Sequence, residues 1–385
     1  MYQNNAPGLK CRKDELPFYT AFFILSFYRI IKSSAISFND HSITYVVIIS
    51  LLLVRIIKMH VRVNNFLTVC VLCPMFVLCL INTWDPLVPV VVMMLLAAKD
   101  IEFENIVRLS FWITLILVLC IVSLSMIGVI DDFTSIRHLH GKVVVCHCAG
   151  FNHSSKLPTY FFFLFLEWFY LRREKVRIIN CCIWVLVGYA IFLFCGERLR
   201  FYNLIIAAAF TQLYRVSNNK FKRGKKVISI AIYPVLCLLT NWLGYIYNAA
   251  NPILYELNIL LSNRLYLENL AFNRFGITLF GQNINMGEEA VFINGNMEYF
   301  YIDSGYVYIF VIYGIIVGTI ILATYCIGSY KSFKINDEKL LVWFVCMAID
   351  PMVGNQMLSV WITPLLFVPF CRVDKYLGGG YIEDC

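Results

Sequence analysis

The chain has 385 residues, of which 60% are hydrophobic and 15% are charged. A soluble domain carries roughly 25% charged residues, so this composition excludes a soluble globular protein and predicts an integral membrane protein. The net charge of +8 is spread over loops between apolar runs, and we expect no nucleic-acid partner.

Apolar runs follow one another at the length of a membrane-spanning helix. Only helices and closed β-barrels satisfy the backbone hydrogen bonds in lipid. The apolar runs are continuous rather than alternating, which favours helices. We predict an all-α, polytopic integral membrane protein with about twelve transmembrane helices of roughly 20 residues, forming a single transmembrane domain over 1–385. The segments 86–98 and 340–353 fit either spans or tilted, re-entrant pieces. The predicted spans are 17–36, 42–58, 66–81, 86–98, 109–130, 158–171, 178–195, 200–215, 227–247, 304–330, 340–353 and 356–371.

The first apolar run is expected to be a retained anchor, because no small-residue cleavage site follows it. If the N-terminus is cytoplasmic, most of the 32 Lys and Arg residues fall in cytoplasmic segments, as the positive-inside rule requires. We therefore predict a multi-pass protein with both termini cytoplasmic. Its large external loops are 131–157 and 248–303, and a tight external turn lies at 196–200. The aromatic run from Tyr160 to Phe165 is expected to face the bilayer.

Most of the 15 cysteines lie inside apolar runs, where they act as small hydrophobic residues, and no regular spacing indicates a disulfide framework. Imidazole and thiolate groups are zinc ligands, but the spacing in loop 131–157 fits no standard zinc site. We expect no metal and no cofactor, and we predict that Asn152 and His153 contact a sugar. Potential ligands in this loop are His138, His140, His147, His153, Cys146 and Cys148.

The turn at 196–200 carries Glu197, Arg198 and Arg200. These charges fit a solvated turn at the membrane boundary, where long side chains reach water. They also fit an anion site, because a guanidinium offers a planar fork of donors that matches phosphate. Both alternatives stay open, although charges at a membrane boundary are functional candidates.

Two further charged residues lie in loop 248–303. Arg264 follows a short apolar helix that begins after Asn251, and it is either an ordinary interfacial cation or a second phosphate ligand. Asp303 precedes a long predicted span. It is either the N-cap of that helix or a group that orients or deprotonates a substrate hydroxyl.

Several short stretches occur in an order that resembles the bacterial Wzy-type O-antigen and capsule polymerases. The resemblance covers roughly residues 95 to 330. Glu197 stands where the family more often has Ser, and no Pro accompanies the Asn152–His153 element. The stretches are Leu96 to Phe103, Ala149 to His153, Gly196 to Arg198, Ser262 to Leu265, Phe275 to Gly281, Tyr301 to Tyr306 and Tyr313 to Ile316.

The resemblance implies a glycosyltransferase with a GT-C-like helical fold in the cytoplasmic (inner) membrane of a bacterium. It would transfer a growing glycan from polyprenyl (undecaprenyl) pyrophosphate onto a lipid-linked repeat unit at the outer face. Such an enzyme needs no metal. Its partners would be the lipid-linked oligosaccharide, membrane lipid, a chain-length regulator and a flippase.

In this mechanism Arg198, Arg264 and Asp303 are the catalytic candidates. The two arginines bind the donor pyrophosphate and stabilise its charge as it leaves, and Asp303 orients or deprotonates the attacking hydroxyl. The substrate-binding candidates are Arg200, Arg274, Asn152, His153 and Tyr306.

A lipid-linked oligosaccharide flippase or transporter is the main rival class. Transporters usually carry internal repeats and charges near the midplane, and this sequence shows neither. An O-antigen ligase, which would pass the glycan to a different acceptor, and a membrane acyltransferase, which needs a His-based site, are the enzymatic rivals.

Overall fold

The computed structural model describes residues 12–36, 42–59, 77–139, 142–172, 176–216, 223–293 and 296–373. In these ranges the chain is mostly helical, with two short β-hairpins, as in an all-α membrane protein. The helices are α1 (Leu16–Lys32), α2 (Ser42–Lys58), α3 (Leu87–Ala97), α4 (Phe103–Met126), α5 (Lys156–Leu171), α6 (Ile178–Cys195), α7 (Arg198–Val216), α8 (Arg223–Ile246), α9 (Pro252–Leu260), α10 (Arg264–Arg274), α11 (Gly305–Val311), α12 (Gly314–Ile335) and α13 (Glu338–Ile349).

Three of the described helices, α4, α6 and α12, are long and apolar enough to cross a membrane. Helix α6 turns large apolar side chains such as Leu186 and Leu193 outward, which is stable only if hydrocarbon surrounds it. The fold therefore supports a membrane-associated helical protein. The count of about twelve spans and the GT-C-like arrangement remain predictions.

Helix α5 is the most enclosed helix among the described residues, and it contacts α4, α6, α7 and α13. Its aromatic run was expected to face lipid, and this expectation is wrong for most of the run. Tyr160, Phe162, Phe163 and Phe165 are all buried, whereas Phe161 is partly exposed. A helix that is apolar on every side is typical of the centre of a bundle as much as of the lipid boundary.

The prediction of a helical span at 356–371 is wrong. After α13 the chain continues as a 3-10 turn (Asp350–Met352), irregular turns and a second 3-10 turn (Pro364–Phe367), and most of this segment is buried. We call 350–373 the irregular segment. Prolines within it cannot donate the hydrogen bonds of an α-helix.

Side chains from neighbouring helices hydrogen-bond the carbonyl groups of the irregular segment. Ser110 donates to the carbonyl of Trp361 over 3.0 Å, and Tyr325 donates to that of Met357 over 2.7 Å. Lys331 donates to the carbonyl of Val368 over 2.9 Å. Non-helical backbone is tolerated at membrane depth where protein groups satisfy it in this way.

Both predicted external loops contain regular structure. Loop 131–157 forms an antiparallel hairpin, β1 (Thr134–Leu139) with β2 (Lys142–His147), in which Thr134 pairs with His147. Loop 248–303 contains α9, α10 and a second antiparallel hairpin, β3 (Gly287–Ile293) with β4 (Asn296–Phe300).

The two loops and the turn at 196–200 lie at one end of the helices. The sulfur of Cys146 in β2 contacts Gly196 in the turn. Arg198, next in the turn, hydrogen-bonds Ser262 between α9 and α10. We call this end the loop-rich end. The turn at 196–200 therefore contacts both of the predicted external loops.

Candidate functional site at the loop-rich end

Arg264 and Asp303, two of the residues predicted to be catalytic, form an ion pair. The distance from Arg264 Nε to Asp303 Oδ2 is 3.5 Å, and the side chains are 12% and 34% exposed. Arg264 Nε and Nη1 are buried and make no hydrogen bond among the described residues. A guanidinium in one long ion pair keeps donors free for a second anion.

The chain around Asp303 is anchored to the irregular segment. Ser304 Oγ donates to the carbonyl of Pro351 over 3.0 Å, and the Gly305 amide donates to the carbonyl of Gly354 over 3.0 Å. Ser304, not Asp303, is the N-cap of α11, so the alternative that Asp303 caps this helix is wrong. The Asp303 carboxylate is left to face Arg264.

Tyr301 lies beside this pair and accepts a hydrogen bond from Asn355 Nδ2 over 3.1 Å. Burial raises the pKa of its hydroxyl, the Asn355 hydrogen bond lowers it, and the negative charge of Asp303 raises it further. The hydroxyl is therefore a neutral donor next to a carboxylate. Tyr301, which follows β4, is half-buried, whereas Tyr306 in α11 is fully buried.

Arg200 was predicted to bind substrate, but its guanidinium has a partner inside the protein. It donates to Asp350, which also accepts from Asn203 over 3.1 Å, and the Arg200 and Asp350 side chains are 6% and 0% exposed. Gly354 packs directly against the guanidinium. Arg200 thus fastens the first turn of α7 to the irregular segment.

Arg198 was predicted to form a phosphate clamp with Arg264, and its guanidinium lies against Ser262, two residues before Arg264. Its guanidinium donates to the Ser262 hydroxyl and to the carbonyl of Ile259, so it closes the turn between α9 and α10. Carbonyls at a helix C-terminus attract cations, which explains the placement.

The remaining predicted substrate ligands lie apart from the ion pair. Arg274 is exposed at the last residue of α10, about 15 Å along the helix axis from Arg264. Asn152 and His153 are exposed in the turn before α5, where His153 Nδ1 hydrogen-bonds Ser155 Oγ over 2.8 Å. Tyr306 donates to the carbonyl of Ala348 over 2.7 Å, and its burial leaves no face for a sugar.

The sequence reasoning also passed over two cations near the loop-rich end of the helices. Lys156 stands two residues before the predicted span 158–171. Burial lowers the pKa of its ammonium, the positive charges of Arg29 and Arg200 lower it further, and the charge of Asp303 raises it. Arg29 lies 4.5 Å from the centroid of the Trp361 ring and donates to Tyr45 Oη over 3.3 Å. Its position inside the predicted span 17–36 was the signal available in the sequence.

Glu268 was also missed. It lies one turn after Arg264 on α10, is buried against Gly244 of α8, and its Oε2 has no hydrogen-bond partner among the described residues. Burial raises the pKa of this carboxyl to about 8, against an opposing effect of Arg264 and with a further increase from Asp303. The site therefore holds the Arg264–Asp303 ion pair and, one helical turn away, a buried carboxyl group with a raised pKa.

No group of three metal-ligating side chains lies close enough to hold an ion within the described part of the chain. In loop 131–157, His147 Nδ1 is 2.6 Å from Asp132 Oδ2. The side chains of His138 and His140 lie outside the described residues. The expectation of a site without metal or cofactor stays a prediction.

No family model, curated protein or solved structure matches this chain. The resemblance to Wzy-type polymerases therefore rests on the order of short motifs. The functional proposal below therefore rests on the contacts and charges at the loop-rich end.

Proposed function

We propose that this protein is a Wzy-type repeat-unit polymerase, a glycosyltransferase of the bacterial cytoplasmic membrane. The supporting observation is the Arg264–Asp303 pair, in which a guanidinium with unused donors stands beside a carboxylate. Transfer from a lipid pyrophosphate needs these two groups: a cation for the leaving phosphate and a base for the attacking hydroxyl.

In the proposed reaction, Arg264 binds the pyrophosphate of the donor, a growing glycan on a polyprenyl carrier. A hydroxyl of the lipid-linked repeat unit attacks the anomeric carbon, and Asp303 accepts its proton. The bond from the anomeric carbon to the phosphate oxygen breaks, and the electron pair leaves with the polyprenyl pyrophosphate, whose charge Arg264 stabilises. The product is a glycan longer by one repeat, and no metal or cofactor takes part.

In this proposal two arginines take other roles than the ones assigned from the sequence. Arg198, which the sequence assigned to the clamp, acts here as a positioning residue that holds the α9–α10 turn ahead of Arg264. Arg200 similarly positions the site through Asp350. Direct contact with the substrate falls to Arg264 and Asp303, with the free face of Tyr301 available to a sugar ring.

The test uses a strain deleted for this protein and complemented with variants at equal membrane level. Arg264→Gln and Asp303→Asn should abolish polymeric glycan while single repeats persist, because each removes a group that acts on the reacting atoms. Lys58→Gln, at an exposed position at the end of α2, is the control and should retain long chains. Normal chain lengths with both Arg264→Gln and Asp303→Asn would overturn the proposal.

The same strain separates the rival classes. A flippase defect would leave lipid-linked repeats on the cytoplasmic side, and a ligase defect would leave the final acceptor without any glycan. A polymerase defect leaves the acceptor carrying single repeats. The position of the charged groups at one end of the helices, rather than at the midplane where transporter sites lie, favours the enzyme.

A further inference from the structure

We infer that helix α9 lies in the interfacial layer of the bilayer leaflet at the loop-rich end, where its apolar side chains contact phospholipid. The partner of this helix is therefore a lipid surface, and neither bulk water nor a second protein covers it. Segment 248–303 was expected to be an external loop, so a lipid contact within it extends the membrane-facing surface beyond the spanning helices.

The outer face of α9 is apolar. The helix has the sequence PILYELNIL, and Ile253, Tyr255 and Leu260 are 79%, 47% and 56% exposed. Large apolar side chains gathered in one exposed patch mark a surface that contacts a protein or a membrane. Water at this face would leave the patch hydrated at a cost of roughly 25 cal/mol per Å² of apolar area.

The hydrogen bonds of α9 place it at the level where the neighbouring helices end. Asn258 Nδ2 donates to the hydroxyl of Tyr247, which directly follows α8, over 3.3 Å. The carbonyl of Ile259 accepts from Arg198, the first residue of α7. Helix α6, which ends at Cys195 just before α7, is long and apolar enough to cross a membrane. Because the end of a spanning helix marks the membrane boundary, α9 lies at that boundary.

Helix α9 is too short to cross the bilayer itself. Its 9 residues give a length of about 14 Å, whereas the hydrocarbon core is about 30 Å thick. A short apolar helix at the boundary lies along the interface. Glu256, its one charged residue, is exposed, which fits the headgroup layer, because a charge remains hydrated there and not at the bilayer centre.

Exposed tyrosines surround α9 at the same level and give a second, independent indication of lipid. Tyr245 lies in the last turn of α8, Tyr266 in the first turn of α10 and Tyr202 near the start of α7, and all three are exposed. Tyr255 adds a fourth from α9 itself. Tyrosine is enriched at membrane interfaces, because its ring is apolar and its hydroxyl reaches the headgroups.

Side chains satisfy backbone groups at both ends of α9. Asn251 Oδ1 accepts from the amides of Ile253 and Leu254 over 3.0 and 3.3 Å, and Arg198 donates to the carbonyl of Ile259. Backbone groups without a partner are costly where water is scarce. Partners supplied by the protein therefore suit a helix that lies against lipid.

The position of α9 also bears on the proposed function. Arg264 is four residues after Leu260, so it lies within about 14 Å of the lipid-contacting surface. If Arg264 binds a lipid pyrophosphate as proposed, the substrate reaches it by moving within the leaflet. Its polyprenyl chain then never has to leave the lipid.

Photocrosslinking of the full-length protein in native membranes tests the contact. p-Benzoylphenylalanine replaces Ile253, and after irradiation the purified protein is searched for phospholipid adducts by mass spectrometry. The same probe at Leu186, exposed on the spanning helix α6, is the positive control, and at Asn152, exposed in the turn before α5, the negative control. The adduct yield at Ile253 should be within about threefold of that at Leu186 and about tenfold or more above that at Asn152, because only the first two positions face lipid.

Leu260, exposed on the same face of α9, carries the probe in a second variant, so that the test survives if the change at Ile253 prevents folding. Yields at both positions as low as at Asn152 would refute the lipid contact. A crosslink between two copies of the chain, in place of the lipid adduct, would refute it as well and would identify α9 as an interface between protomers.

The lipid contact and the proposed function fail separately. If Arg264→Gln and Asp303→Asn leave chain length normal but Ile253 still crosslinks to phospholipid, the interfacial position of α9 stands and the polymerase proposal falls. If polymerisation depends on both residues while α9 gives no lipid adduct, the polymerase proposal stands and the interfacial position falls.

Discussion

At the scale of single residues, three arginines at the loop-rich end show that residue type does not determine role. Arg198 caps carbonyl groups, Arg200 is neutralised by Asp350, and Arg264 keeps unused donors. Partners and burial make the difference. Only Arg264 has both the charge and the free hydrogen-bonding capacity that a phosphate ligand needs.

The Arg200–Asp350 pair should be a large contributor to stability. Asp350→Asn leaves a buried guanidinium without its counterion and should lower the free energy of unfolding by about 3–5 kcal/mol. The measurement is unfolding of the purified protein in detergent. Arg372→Gln breaks the solvent-accessible pair with Glu102 and serves as the control, with an expected loss of about 0–1 kcal/mol. Equal losses in the two variants would contradict this role for Asp350.

At the scale of elements, α10 places Arg264 and Glu268 on one face, one turn apart. The turn held by Arg198 sets where the helix begins, and packing against α8 buries Glu268. A neutral Glu268 leaves the charge of Arg264 available to Asp303 and to a substrate anion. An ionised Glu268 would compete for the same guanidinium.

Glu268 should make stability depend on pH. Its pKa of about 8 in the folded protein is above the value of about 4.3 in an unfolded chain, so the folded state binds the extra proton between these values. Its contribution is fully present below about pH 4 and is lost as pH rises towards 8. Glu268→Gln should match wild type near pH 4 and exceed its unfolding temperature near pH 8.5.

The control for this series is Glu256→Gln, a change at an exposed glutamate of α9, which should not alter the pH profile. A constant difference between wild type and Glu268→Gln across the pH range would show that the carboxyl does not titrate in this window.

The irregular segment is the element that joins the site to the bundle. It supplies Asp350 to Arg200, the Pro351 carbonyl to Ser304 and Asn355 to Tyr301. Two chain segments, the start of α7 and residues 301–304, are thereby fixed to one support. This explains how a loop residue such as Asp303 can be held steadily enough to act on a substrate.

At the scale of the whole molecule, the charged groups share the loop-rich end, and the proposed function requires that end to face outward. Substituted cysteines test this in intact cells with a membrane-impermeant maleimide. Asn152→Cys and Asn251→Cys, exposed at the loop-rich end, should react. Lys58→Cys and Arg372→Cys, exposed at the other end, should react only after permeabilisation, as the positive-inside rule implies.

The parent protein, with its native cysteines, provides the background signal for this labelling. If Lys58→Cys and Arg372→Cys react in intact cells and the other two do not, the site faces the cytoplasm. A polymerase that uses externalised lipid-linked repeats would then be excluded.

The sequence by itself determined what depends on composition and local pattern. Apolar run lengths indicated lipid as the solvent and helices as the structure, and charges in the polar segments indicated Arg264 and Asp303, which do pair. These inferences succeed because hydrophobic burial and backbone hydrogen bonding act over one or two helical turns or one membrane thickness.

Only the tertiary structure decided which charges meet. Arg200 and Asp350 are 150 positions apart in the chain. The hydrophobic periodicity of the sequence carries no information about which charged residues pair. Burial, which the sequence does not reveal either, also raises the pKa of the Glu268 carboxyl. The sequence also could not predict that the segment 350–373 is irregular, because its apolar composition fits a helix. The side chains that donate hydrogen bonds to its carbonyl groups come from distant helices.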